Sequence, residues 1–195
     1  MNVKNGKRKW GLMVFIIIIM IGTSFSVFFT GGAPQSEVVK YNGIKFVSSG
    51  SSNRIWIANI NDQQAAFSFL PSQVESIVLP RRASQLLQNK FEIDSTSNFN
   101  DTFKESIALS QHQMGLTLQK YNIYLRKGFT LNNSFNIPII TCDDATANVP
   151  VIYFRQGNST RINLENNCVI VEAPDDAGFI MAKDRMLYDL FGVIK

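Results

Sequence analysis

Residues 10–29 form an unbroken apolar run with no ionisable side chain, and Lys4, Lys7, Arg8 and Lys9 stand directly before it. About 20 apolar residues, rising about 1.5 Å each as a helix, reach across the roughly 30 Å hydrocarbon core of a bilayer. All four cations lie on one side. The positive-inside rule keeps that side in the cytoplasm, so everything after Thr30 is expected on the far side of the membrane.

A secretory signal also begins with basic residues, but its apolar core is usually about 7–15 residues and ends at a small-x-small cleavage site. Ser24-Phe25-Ser26 fits such a site, yet the apolar stretch continues through Val27-Phe28-Phe29. A retained single-pass anchor at 10–29, preceded by a cytoplasmic tail at 1–9, is therefore expected ahead of a cleaved signal. Either reading exports the rest of the chain to an extracytoplasmic location.

The same four residues explain the net charge of +4. Of 19 Lys and Arg, four precede the apolar run, and the 15 beyond it balance the 15 Asp and Glu, which also all lie beyond it. A formally neutral exported part with interspersed charges has no electrostatic footprint for nucleic acid, so no nucleic-acid partner is expected.

Cys142 and Cys168 are the only cysteines. In an exported domain a thiol pair is kept oxidised, which favours a disulfide, and closing a loop of about 27 residues removes on the order of 3–4 kcal/mol of unfolded-state entropy. A catalytic thiol is the sharper alternative, for which the lone His112 is the one imidazole in the chain. Two cysteines do not close a zinc site.

Residues 30–40, containing Gly31-Gly32-Ala33-Pro34, have no periodicity and read as a tether. Residues 41–195 suffice for one domain. Strands are expected at 43–47, 54–60 and 65–70, with Asn61-Asp62 as turn chemistry between the last two. Pro71 ends that hairpin, and a helical turn is expected over 72–77. Next come a strand at 91–96, a helix over 102–120 capped by Asn100 or Asp101, and a strand at 121–129, an order that predicts a βαβ crossover.

On that helix, Phe103, Ile107, Met114, Leu118 and Tyr121 share one face, while Leu109, His112 and Leu116 fall opposite. A helix with two such stripes is expected to be sandwiched, or else to meet a partner on its second side. Further strands are expected at 137–142, 149–154 and 160–172, the last two separated by a turn at Arg155-Gln156-Gly157-Asn158. A C-terminal amphipathic helix begins at Asp175 or Asp176 and runs to about Phe191, with Phe179, Ile180, Met186, Leu187, Leu190 and Ile194 on its core face. The fold class is α+β, with one mixed sheet of about six or seven strands and two helices packed on it.

Asp143 and Asp144 follow Cys142 directly, where paired carboxylates could hold a hard cation or act as acid and base; the plainer reading is a solvated turn. His112 could serve as a general base, but on an otherwise apolar stripe it reads first as packed or partner-facing. No Gly-x-Ser-x-Gly elbow, Walker loop or Gly-x-Gly-x-x-Gly occurs, so no catalytic, cofactor-binding or metal residue is assigned and no cofactor is implied. Asn100, Asn132 and Asn158 begin Asn-x-Ser/Thr triplets, which are glycan acceptors in an exported chain.

Several phrases carry a resemblance: Tyr41-Asn42-Gly43 with Phe46, the run Ile140-Thr141-Cys142-Asp143-Asp144-Ala145-Thr146, Pro150-Val151-Ile152, and Gly157-Asn158 with Thr160 and Ile162. Asn167-Cys168-Val169 and Asp184-Arg185 with Tyr188 and Gly192 extend it. Together they resemble uncharacterised, single-span, membrane-anchored exported proteins of small-genome archaea, over most of the exported domain. The resemblance implies the tether and the pairing of Cys142 with Cys168, and it brings no activity.

The expected function is a non-enzymatic one in the cell envelope, in binding or assembly, with the bilayer as one partner and an envelope protein or a second copy as another. The alternatives are an envelope hydrolase using Asp143 or Asp144, with or without His112, and a pilin-like filament subunit.

Overall fold

Two short turns organise the first half of the domain. Asn42 and Gly43 take φ of 47° and 81°, and Asn61 and Asp62 take 51° and 63°. Successive left-handed residues are what a tight two-residue hairpin needs, because such a turn matches the right-handed twist of its strands. The strands so joined are β1 (Val38–Tyr41), β2 (Ile44–Ser49), β3 (Ile55–Ile60) and β4 (Gln63–Phe67), each antiparallel to the next in an up-and-down meander. The register turns Phe46, Trp56, Ala58, Ile60, Ala65 and Phe67 inward and leaves Ile55 exposed.

This architecture comes from a computed structural model that describes residues 37–49 and 55–194. The proposed anchor, tail and cleavage site lie outside the described residues. Among the described residues no helix is long and apolar enough to cross a membrane.

A second sheet follows two short helices, α1 (Pro71–Val74) and α2 (Arg81–Leu87). Its strands are β5 (Glu92–Ser97), β6 (Tyr124–Phe129), β7 (Val151–Gln156), β8 (Arg161–Glu165) and β9 (Cys168–Ala173), in the spatial order β6-β5-β7-β9-β8. All neighbours are parallel except the β8–β9 pair at one edge. Helix α3 (Lys104–Gln119) joins β5 to the adjacent parallel β6, so the βαβ unit forms as expected. Helix α4 (Asp176–Leu190) starts on the Asp175 carboxylate, which accepts from Gly178 N at 2.7 Å.

The α+β class therefore holds, but as two sheets. The turns at Asn42-Gly43 and Asn61-Asp62 let strands pair with their sequence neighbours, and β5 belongs to a separate, mostly parallel sheet. Both contribute to one core in which α4 is the central piece. Tyr188 stacks on Phe67 at 4.2 Å and meets Phe46 edge-on at 5.9 Å, while Phe179 lies 6.5 Å from Phe154 in the second sheet.

Because α4 is enclosed, its expected amphipathicity is corrected: Lys183, Asp184 and Arg185 are buried along with the apolar face. Each finds partners. The Asp184 carboxylate accepts from Ser68 N and Phe69 N at 2.9 Å and pairs with Lys183 Nζ at 2.5 Å. Lys183 also donates to Gln113 Oε1, Arg185 Nε donates to Ile77 O, and Tyr188 Oη donates to Phe69 O. These bonds hold the connection from β4 through α1 onto the helix.

Other expectations are corrected more locally. Residues 38–40, read as the end of the tether, join Tyr41 in β1, because the Asn42-Gly43 turn folds them back on β2. Helix α3 starts at Lys104, after the expected cap; Asp101 bonds Phe103 N and also Gln156 N, tying the helix entry to β7. The expected strand 160–172 is a hairpin of β8 and β9, broken at Asn166 with φ of 52°.

Residues 137–142 do not make a strand: Ile139 bridges once to Phe129, and a 3₁₀ turn occupies Cys142–Asp144. Ile140 instead packs over Gly128, where a Cβ would come within 2.5 Å of it, so the chain leaves the edge and crosses the sheet. The expected disulfide forms, Cys142 to Cys168 with Cα atoms 5.3 Å apart. It straps residues 130–149 past the end of β6 and, from Ile140 to Ala145, over the sheet face turned away from α3, against Val151, Ile170 and Cys168.

Candidate functional site

The polar residues singled out in the sequence are not brought together. The Asp144 carboxylate accepts from Thr141 N at 2.7 Å and Thr141 Oγ1 at 3.0 Å, closing its own 3₁₀ turn. Asp143 is exposed on that turn, on the strapped face of the second sheet, whereas His112 is exposed on α3 across the sheet. Among the described residues no cluster of three or more His, Cys, Asp or Glu could hold a metal ion. Asn100, Asn132 and Asn158 are all exposed, as a glycan acceptor must be.

The second stripe of α3 is not sandwiched: Leu109 and Leu116 are 44% and 53% exposed. Helix α4 takes the position between the sheets, so α3 is left at the side with its outer face open. Leu116 and Ile55 flank a groove of about 510 Å³ beside edge strand β4.

A more elaborate site lies at the carboxyl ends of β5 and β6. In open α/β sheets, ligands bind in crevices outside the carboxyl ends of the strands, where connections diverge. Here β5 leads through α3 to β6 on one side, while β7 leads to β8 and β9 on the other. The carboxylate of Asp101 closes the gap between β5 and β7, and the adjoining space under the first half of α3 opens as a cleft of about 630 Å³.

Three rings wall this cleft. Phe99 follows β5, Phe129 ends β6 and Phe135 comes from the strap; their centroids lie 5.7, 6.5 and 6.2 Å apart pairwise. Edge-to-face and tilted contacts over these distances suit the ring quadrupoles and make a firm apolar surface. The opposite wall is polar. Lys104, Glu105, Ala108 and Gln111 project from α3, and Lys127 from β6.

Lys127 passes beside Gly115 of α3, where an added Cβ would make ordinary van der Waals contact with Lys127 Cε at 4.0 Å. Burial pushes its ammonium below the ordinary lysine pKa, and among the described residues it has no carboxylate partner. Gln111 is only 5% exposed and its Nε2 has no hydrogen-bond partner. The hydroxyls of Ser110 on α3 and Ser95 on β5 are likewise buried without partners. Such groups are rare in folded proteins, since each unpaired buried donor costs about 1–3 kcal/mol.

Sequence reading missed this site. Its signal was the polar content of segments otherwise read as core: Ser95 and Ser97 in β5, and Ser106, Ser110 and Gln111 on the inner side of α3. No family model matches the chain, and no curated protein or solved structure is significantly similar to it.

Proposed function

We propose that the chain is a membrane-tethered, extracytoplasmic binding domain of the cell envelope, and that its ligand occupies the cleft at the carboxyl ends of β5 and β6. The basic tail and apolar run support the tether, and a disulfide is the bond that an oxidising compartment maintains. The observation that carries the binding role is the cleft itself: three packed rings in one lining with the unpartnered Gln111 amide and the unpaired Lys127, at about 630 Å³ well within the range of small-molecule sites.

The test is methyl NMR on the full chain in lipid nanodiscs, with uncharged 4-phenylbutyramide as probe. Shifts concentrated at the Ala108 and Ile137 methyls, and lost in Phe129→Ala, are expected. Shifts elsewhere, or none, refute the cleft reading.

The open face of α3 favours a second reading, docking of an envelope protein or a second copy across Leu109 and Leu116. A photocrosslinker at Leu116 in native membranes should then yield one discrete adduct that L109D abolishes; no adduct removes this reading.

A further inference from the structure

We infer that the cleft recognises a monoanionic carboxylate carried on an apolar body, with the Lys127 ammonium and the Gln111 amide as its headgroup donors. This rests on the cleft reading and adds the ligand's chemistry. Gln111 Nε2 is a buried donor lacking an acceptor, Lys127 is exposed and makes no ion pair among the described residues, and both residues line the same space. An unpaired cation beside a buried, unpartnered amide is an arrangement that an anionic ligand satisfies.

Charge counting narrows the anion. Lys104, Glu105 and Lys127 are the charged residues that line the cleft, a formal sum of one positive charge. One charge matches a carboxylate better than a phosphate dianion, which would face Glu105 with only partial compensation. The ring wall of Phe99, Phe129 and Phe135 sets the remainder of the ligand, an aryl or compact alkyl group, because it offers no hydrogen-bonding atom.

The decisive comparison titrates 4-phenylbutyrate against its isosteric amide, 4-phenylbutyramide, on the full chain in nanodiscs at neutral pH. A charge-assisted pair in a partly desolvated site should favour the acid by about tenfold or more. Lys127→Met should erase the preference by weakening the acid far more than the amide, and Lys127→Arg should keep most of it. Q111E, which places a carboxylate beside the ligand's own, should weaken the acid further than the amide.

Equal binding of acid and amide by the native chain overturns the carboxylate inference and leaves the cleft reading standing. An acid preference that survives Lys127→Met overturns the assignment of Lys127. Tighter binding of phenyl phosphate than of 4-phenylbutyrate overturns the monoanion. Failure of both acid and amide to bind overturns inference and cleft reading together. Retained amide binding in Lys127→Met shows that the variant is folded.

Discussion

The two sheets reach stability by opposite routes. The β1–β4 meander pairs each strand with its sequence neighbour, with tight turns at Asn42-Gly43 and Asn61-Asp62, and one inward apolar row suffices to seat it. The β5–β9 sheet pairs strands far apart in the chain, buries Asp94, Ser95, Thr96 and Ser97 in β5, and relies on a covalent strap over one face. Local pairing costs little loop entropy, whereas long crossovers must be compensated by specific contacts. The costly sheet is also the one with the cleft, and its unpaired polar groups are tolerable because the strap and crossovers hold them in place.

The contrast is broken most severely at α4, where both sheets meet. Asp184→Ala should cost about 3–5 kcal/mol, because it leaves Lys183 buried without its counter-ion. It also strips Ser68 N and Phe69 N of their acceptor. Urea unfolding followed by the fluorescence of buried Trp56 should show one transition shifted to lower denaturant; two separated transitions would mean that the sheets do not depend on the same helix.

Removing the strap should affect one sheet first. Cys142→Ser with Cys168→Ser is expected to lose about 3–4 kcal/mol by the loop-entropy account. Hydrogen exchange should show β7 and β9 opening more readily, with β1–β4 amides following only global unfolding. Equal loss of protection in both sheets would erase the distinction drawn above.

A paired glycine experiment sharpens it. A Cβ at Gly128 would meet Ile140 at 2.5–2.7 Å, while one at Gly43 meets nothing within 4 Å but is held at φ of +81°. Gly128→Ala should therefore cost about 1–3 kcal/mol through overpacking. Gly43→Ala should cost about 1 kcal/mol through backbone strain alone. Denaturation midpoints decide between that order and its reverse.

The smallest effect is on pH. Hydrogen bonding from Arg161, aided by Arg155, holds the Glu172 carboxyl below its ordinary value of 4.5, against the opposing pull of burial. A carboxylate with a depressed folded-state pKa binds fewer protons folded than unfolded, so its stabilisation is complete above about 4.5 and is lost as pH falls through the folded value. Both arginines are well exposed, so solvent screening keeps the gain small. E172Q should flatten the acid limb of stability below about pH 4.5, the variant and native curves converging as pH falls through the folded-state value.

Legibility in the sequence followed the same division. Strands β2 to β4 and their Asn61-Asp62 turn were readable because period-two apolar alternation and left-handed turn residues are local signals. Even so, alternation of Ile55 and Ile57 with Trp56 and Ala58 did not say which set faces inward. Helix α3 and its crossover were equally plain. Strand β8, the α2 helix and the strap were not, because Asn166 is a single turn residue inside a long strand-like run and Ile140 is placed by Gly128 across the sheet. The cleft was invisible, since no residue in it is unusual until β5, α3 and β6 converge.

By itself, the sequence determined the charge asymmetry about residues 10–29, the neutrality of the remaining chain, the α+β class and the cysteine pair available for a bridge. These depend on composition and local spacing, which need no partner in space. Only the tertiary structure decided that there are two sheets, that α4 with its three buried charges lies between them, and that Lys127 and Gln111 share one cleft. Burial and the pairing of donors with acceptors are properties of what surrounds a side chain, and those surroundings come from segments tens of residues away.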